Sequence, residues 1–119
     1  MEETNINELL LVAESYKNPN LLSRLFYNKN YLLQKAYEYY TQAINILVYK
    51  KNINKAIEIY PTVIGILVDM NISGTQLAEE YCKFAEIIYL KNKEDSIKTY
   101  DCAIYCYNSV NNIDAKKEI

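Results

Sequence analysis

Three thiols, a scatter of carboxylates and no imidazole bound the chemistry open to this chain. Cys102 and Cys106 stand four residues apart, a spacing that puts both on one helix face, and Cys82 lies a helix away. A structural zinc site takes four ligands, so three thiols without a fourth donor read better as small hydrophobes in a core. The absence of histidine removes Ser–His and Cys–His nucleophiles, the HExxH metal motif and any imidazole acid–base step. The carboxylates Glu79, Glu80, Glu86, Glu94 and Asp95 are interspersed with lysines, the pattern of solvated helix faces. With only Gly65 and Gly74, no glycine-rich phosphate loop can form. The expectation is a protein that is not an enzyme and takes neither cofactor nor metal.

A different kind of chemistry is carried by LLSRLFY, residues 21–27. Leu21, Leu22, Leu25, Phe26 and Tyr27 are apolar and are flanked by Lys17, Arg24 and Lys29. An apolar wedge beside cations suits a membrane surface that carries anionic lipid. The competing reading is a staple that packs the first helix onto the second. Exposed side chains would favour the membrane, and buried ones the staple.

What must position that segment is a repeat. KAYEYYTQAINIL, KAIEIYPTVIGIL, LAEEYCKFAEIIY and DSIKTYDCAIYCY follow one another at a pitch of about 20 residues. A small residue opens each register: Ala36, Ala56, Ala78, Ser96. Four residues on stand Tyr40, Tyr60, Cys82 and Tyr100; seven on, Ala43, Val63, Ala85 and Ala103; eleven on, Leu47, Leu67, Tyr89 and Tyr107. These offsets share one face of a helix with 3.6 residues per turn. A single such helix cannot bury its own stripe, whereas stacked neighbours can, which is the logic of a solenoid. The fold class expected is all-α, with antiparallel helix hairpins in a right-handed, tetratricopeptide-like solenoid of five to six helices. The repeat tyrosines are expected as packing residues with hydroxyls reaching the rim.

The pattern predicts helices over 6–17, 31–50, 54–69, 75–91 and 94–109. Asn54 is the expected cap of the third, and Ser73 with Gln76 has the form of a capping box for the fourth. Pro61, past the first turn, predicts a kink or an interruption. Asn111-Asn112 predicts a break, with a sixth helix barely begun from Asp114. Stopping in mid-helix suggests one repeat domain over 1–119 that is the N-terminal fragment of a longer chain, with Ile104, Tyr107 and Val110 left uncovered and able to drive self-association.

Half of the 119 residues are hydrophobic, so the chain is not disordered, and 13 basic against 15 acidic side chains leave a net charge of −2. No basic stripe for nucleic acid is present. The acidic start, MEETNINELLLVA, lacks the cationic end of a signal peptide, and no run approaches the ~20 apolar residues that span a bilayer. An odd cysteine count fits a reducing compartment. The chain is expected in the cytoplasm.

Order and spacing together resemble the N-terminal part of the soluble NSF attachment protein (SNAP) family, its α-type members most closely. The matching stretches are ELLLVAESYKN (residues 8–18), NLLSRLF (20–26), KAYEYYTQAINILVYKKN (35–52) and EDSIKTYDCAIYCYNSVNNIDAKK (94–117). The resemblance implies a twisted sheet of helix hairpins that binds SNARE bundles along one face and touches membrane with its N-terminal loop. It also implies recruitment of the NSF ATPase through a carboxyl end, here by way of the longer parent chain. Leu21, Leu22, Leu25 and Phe26 would be the membrane loop, with leucine in place of the family's paired phenylalanines. Among residues 112–118, Lys116 and Lys117 match the family's basic SNARE contacts, while Asn112 and Glu118 depart from them. The function implied is an adaptor of vesicle fusion, peripheral on membranes. The alternative is a tetratricopeptide-like scaffold with another helical or peptide partner.

Overall fold

The structure, a computed structural model, describes the backbone of residues 2–118 and the side chains of residues 5–109. The described residues form six helices and no strand: α1 (Glu2–Lys17), α2 (Leu21–Phe26), α3 (Lys29–Tyr49), α4 (Ile53–Asp69), α5 (Gly74–Lys91) and α6 (Lys93–Glu118). They group into two units, Met1–Met70 and Asn71–Ile119.

In the first unit α3 packs on both α1 and α4. Glu14 meets Tyr40 and Tyr16 meets Tyr39, while Asn5 shares a groove with Tyr49. The paired numbers run in opposite directions, so α1 and α3 are antiparallel. The turn after α3 closes with Asn52 N–H donating to the Leu47 carbonyl at 2.8 Å and Lys51 N–H to Val48 at 3.0 Å. This is a Schellman-type ending, and Lys51 occupies its left-handed position at φ 65°. In the second unit α5 and α6 are joined by Asn92 alone, and Ala78 packs with Ala103 and Cys106. That pairing also runs antiparallel, as a helical hairpin.

The repeat is visible in burial. Its small positions are closed in all four helices: Ala36, Ala43, Ala56, Val63, Ala78, Ala85, Ser96 and Ala103 are each no more than 2% exposed. Removing the side chain's bulk lets neighbouring helices approach closely. The large positions behave differently. Tyr40, Leu47, Tyr60 and Leu67 are buried in α3 and α4, whereas Cys82 and Tyr100 are half-buried and Tyr89 and Tyr107 exposed. Ile104 is exposed as well, and the Val110 side chain lies outside the described residues.

Several boundaries differ from the sequence reading, mostly through asparagine. Residues 21–26 form a helix rather than a loop, because the Asn20 side chain accepts from Ser23 N–H at 2.9 Å. Asn28 caps α3 by accepting from Asn30 N–H. Asn52, not Asn54, caps α4 by accepting from Lys55 N–H. Asn92 caps α6 by accepting from Glu94 and Asp95 N–H. Ser73 is at the cap of α5 but makes no side-chain bond there. Gly74 at φ 63° turns the chain where a capping box needs a helical residue. Asn111-Asn112 does not break α6, which continues to Glu118, so no separate helix starts at Asp114.

Pro61 does not interrupt α4. The helix holds because Pro61 and Gly65, its two weak formers, lie exposed four residues apart. On the other side Ala56, Ile59, Tyr60, Val63, Ile64, Ile66 and Leu67 are buried. Burying large aliphatic and aromatic side chains is worth about 1.5–3 kcal/mol each, which outweighs one missing hydrogen bond.

Candidate membrane-facing segment

α2 inverts the amphipathic rule. Leu21, Leu22, Leu25 and Phe26 sit at successive helical angles that make one contiguous stripe, with Ser23 and Arg24 opposite. A surface helix of a globular protein turns such a stripe inward. Here none of α2 is buried, and the four apolar side chains are 66–75% exposed. Ser23, by contrast, is half-buried. Tyr27 and Tyr31 continue the apolar surface, stacked at 5.5 Å between ring centroids, with Lys35 Nζ 5.7 Å from the Tyr31 ring.

The supports of α2 explain how it stands clear. Pro19 and Asn20 stop α1 from continuing, and Arg24 N–H to the Asn20 carbonyl plus Tyr27 N–H to Ser23 close its turns. α1 and α3, which flank it in sequence, are locked together. The Tyr16 and Tyr39 rings stack at 5.7 Å and 7°, and the Tyr40 hydroxyl donates to Glu14 Oε2 at 2.7 Å. Asn18 Nδ2 donates to Glu14 Oε1 at 2.7 Å. These bonds, Tyr40 first, hold the Glu14 carboxyl below its usual pKa, and Lys17 adds to the effect. Burial, then the Glu14 bond, pushes the Tyr40 hydroxyl well above the ordinary tyrosine range.

Two grooves flank α2. One, of 380 Å³, has Lys17 and Pro19 from the end of α1, Arg24 and Tyr27, and Lys29 at the start of α3 around its mouth, with Leu32 and Leu33 buried behind. The other, of 480 Å³, is more polar, with Ser15, Asn18, Asn20 and Ser23 on its walls. The structure therefore gathers the three expected cations on one groove, while Leu21, Leu22, Leu25 and Phe26 face solvent away from it. The Lys116 and Lys117 side chains lie outside the described residues.

Two other expectations are corrected or refined. Glu80 is buried at 5% exposure rather than solvated, while Glu79, Glu86, Glu94 and Asp95 are exposed. Cys102 is exposed and Cys82 half-buried, so only Cys106 is a core thiol. Burial, then Cys102, raises the Cys106 pKa. No group of three or more Cys, Asp or Glu among the described residues is placed to hold a metal ion. No helix among them is long and apolar enough to cross a membrane. Compared with protein-family models, curated proteins and solved structures, the chain matches none.

Proposed function

We propose that this chain is a non-enzymatic helical adaptor that docks on membrane surfaces through α2. The observation that carries the reading is the outward apolar stripe of Leu21, Leu22, Leu25 and Phe26. Holding four large apolar side chains in water wins nothing for the fold, and the three cations of the neighbouring groove would meet anionic headgroups. Each side chain contributes at most about 1.5–3 kcal/mol on leaving water, and less at an interface than in a core. The result is weak, reversible attachment, suited to a peripheral protein of the cytoplasmic face.

The architecture we propose around α2 is a SNAP-like, tetratricopeptide-like solenoid in which the helix hairpins stack right-handedly. Its support is the small-residue register closed in all four repeat helices. On that plan the chain belongs to vesicle-fusion machinery, with SNARE bundles as its partner on one face and Lys116 and Lys117 contributing charge. An NSF-type ATPase would be engaged by a longer parent protein, and nucleic acid is not a partner. Exposed Ile104 and Tyr107 give the second unit a surface for self-association. A pulldown of the parent protein with an assembled SNARE bundle tests the partner. Retention above a bead control supports it, and no retention sends the reading back to a scaffold for another helical ligand. Vesicle co-sedimentation tests the membrane arm.

A further inference from the structure

We infer that the groove beside α2 receives the phosphate of an anionic lipid headgroup, and that it prefers a phosphomonoester. The inference rests on the proposal that α2 docks on a membrane. Lys17, Arg24 and Lys29 come from three different elements, α1, α2 and α3, yet converge on one cavity of 380 Å³. Among the described residues no carboxylate lines that cavity. Glu14 engages Lys17 electrostatically, but among the described residues neither Arg24 nor Lys29 has a carboxylate partner. Arg24 and Lys29 are therefore open to pair with an anion that enters the groove.

The walls indicate the form of the anion. Tyr16 and Tyr27 line the groove, and each ring is held by stacking, on Tyr39 and Tyr31 respectively. Rigid rings and the buried Leu32 and Leu33 give the groove apolar walls, which suit a phosphate attached to a lipid more than a free hydrated ion. Arg24 supplies a planar fork that matches two phosphate oxygens, and the two lysines supply point charges. Three cations exceed the single charge of a phosphodiester; a phosphomonoester carries about −1.5 to −2 near neutrality, as phosphorylated side chains do.

The test is co-sedimentation of the whole chain with two vesicle preparations matched in surface potential. One contains phosphatidylcholine with phosphatidylserine, the other phosphatidylcholine with phosphatidate. The expected result is tighter binding to phosphatidate, and loss of that preference in the Arg24→Gln/Lys29→Gln variant. Because each basic residue near an anionic surface is worth about 1 kcal/mol, the pair should weaken phosphatidate binding by roughly 25-fold. Both residues are exposed, and an unchanged melting curve confirms that the variant folds. Equal binding of the native chain to both preparations overturns the headgroup site while leaving membrane docking standing. Binding to neither overturns docking itself and the site with it. Competition by soluble glycerol 3-phosphate needs no variant. Only weak, millimolar competition is expected, and soluble binding as tight as that to vesicles would make this a free-phosphate site and overturn the lipid assignment.

Discussion

The Tyr40 hydroxyl donates to Glu14 Oε2 at 2.7 Å, joining a buried tyrosine of α3 to an exposed carboxylate of α1. It is the polar end of the interface that carries α2. Tyr40→Phe removes the donor and keeps the ring, so it should cost about 1 kcal/mol, less than the ~1.5–3 kcal/mol of a bond to a buried charge because Glu14 is solvated. Chemical denaturation of the two proteins at pH 7 measures the difference. No change in midpoint would show that water replaces the bond fully.

The same pair sets a pH dependence. The folded pKa of Glu14 lies below its ordinary value of 4.5, so its stabilisation is complete above that pH and is lost as pH falls through the folded value. The folded pKa of Tyr40 is raised, so its share is present below the ordinary tyrosine value of 10 and fades as pH rises through the folded value. The gap between native protein and Tyr40→Phe should therefore be flat from pH 5 to 9 and narrow in acid. A gap that widens in acid would contradict the assignment.

Two positions, one inside α4 and one in the turn before it, carry residues that the backbone does not want. A Cβ at Gly65 would meet nothing within 4 Å, so Gly65→Ala should stabilise by about 0.5–1 kcal/mol. Lys51 sits at φ 65° where glycine is ordinary, and Lys51→Gly should gain about 1 kcal/mol by relieving the left-handed strain. Thermal melts test both. A lower melting temperature for Gly65→Ala would mean that the α4 face is covered by something the exposed position does not show.

The thiols should separate by rate. Cys102 is exposed and should react first with a disulfide reagent at pH 8. Cys106 is buried with its pKa raised, so it has less thiolate at that pH and should react last, faster as pH increases. Mass spectrometry of the first-labelled peptide decides it, and first labelling at Cys106 would contradict the described packing of α5 on α6.

The small-residue register was legible because Ala36, Ala56, Ala78 and Ser96 recur on one helical face, and all four are closed. The large positions of α5 and α6 were not, since Tyr89 and Tyr107 satisfy the period while their burial depends on what stands opposite. Helix starts are hard to place at asparagine: Asn20 and Asn52 are caps, and a cap and a turn residue look alike until the accepting bond is seen. At Pro61 the local tendency to interrupt the helix is overridden by the seven buried side chains of α4. For the candidate site, the apolar residues of LLSRLFY and their cations could be read directly, but the side they face could not. An isolated six-residue stripe has no preference until its neighbours are placed.

The central claim, that α2 is a membrane-docking element, is tested most directly by Leu22→Ser/Phe26→Ser. Co-sedimentation with vesicles containing anionic lipid and the melting temperature are measured on the same protein. Since both side chains are two-thirds or more exposed, the account predicts that vesicle binding is abolished while the melting temperature hardly moves. A large fall in melting temperature, of the size expected for emptied core sites at about 2–5 kcal/mol each, would mean that α2 is a packing staple and would contradict the account.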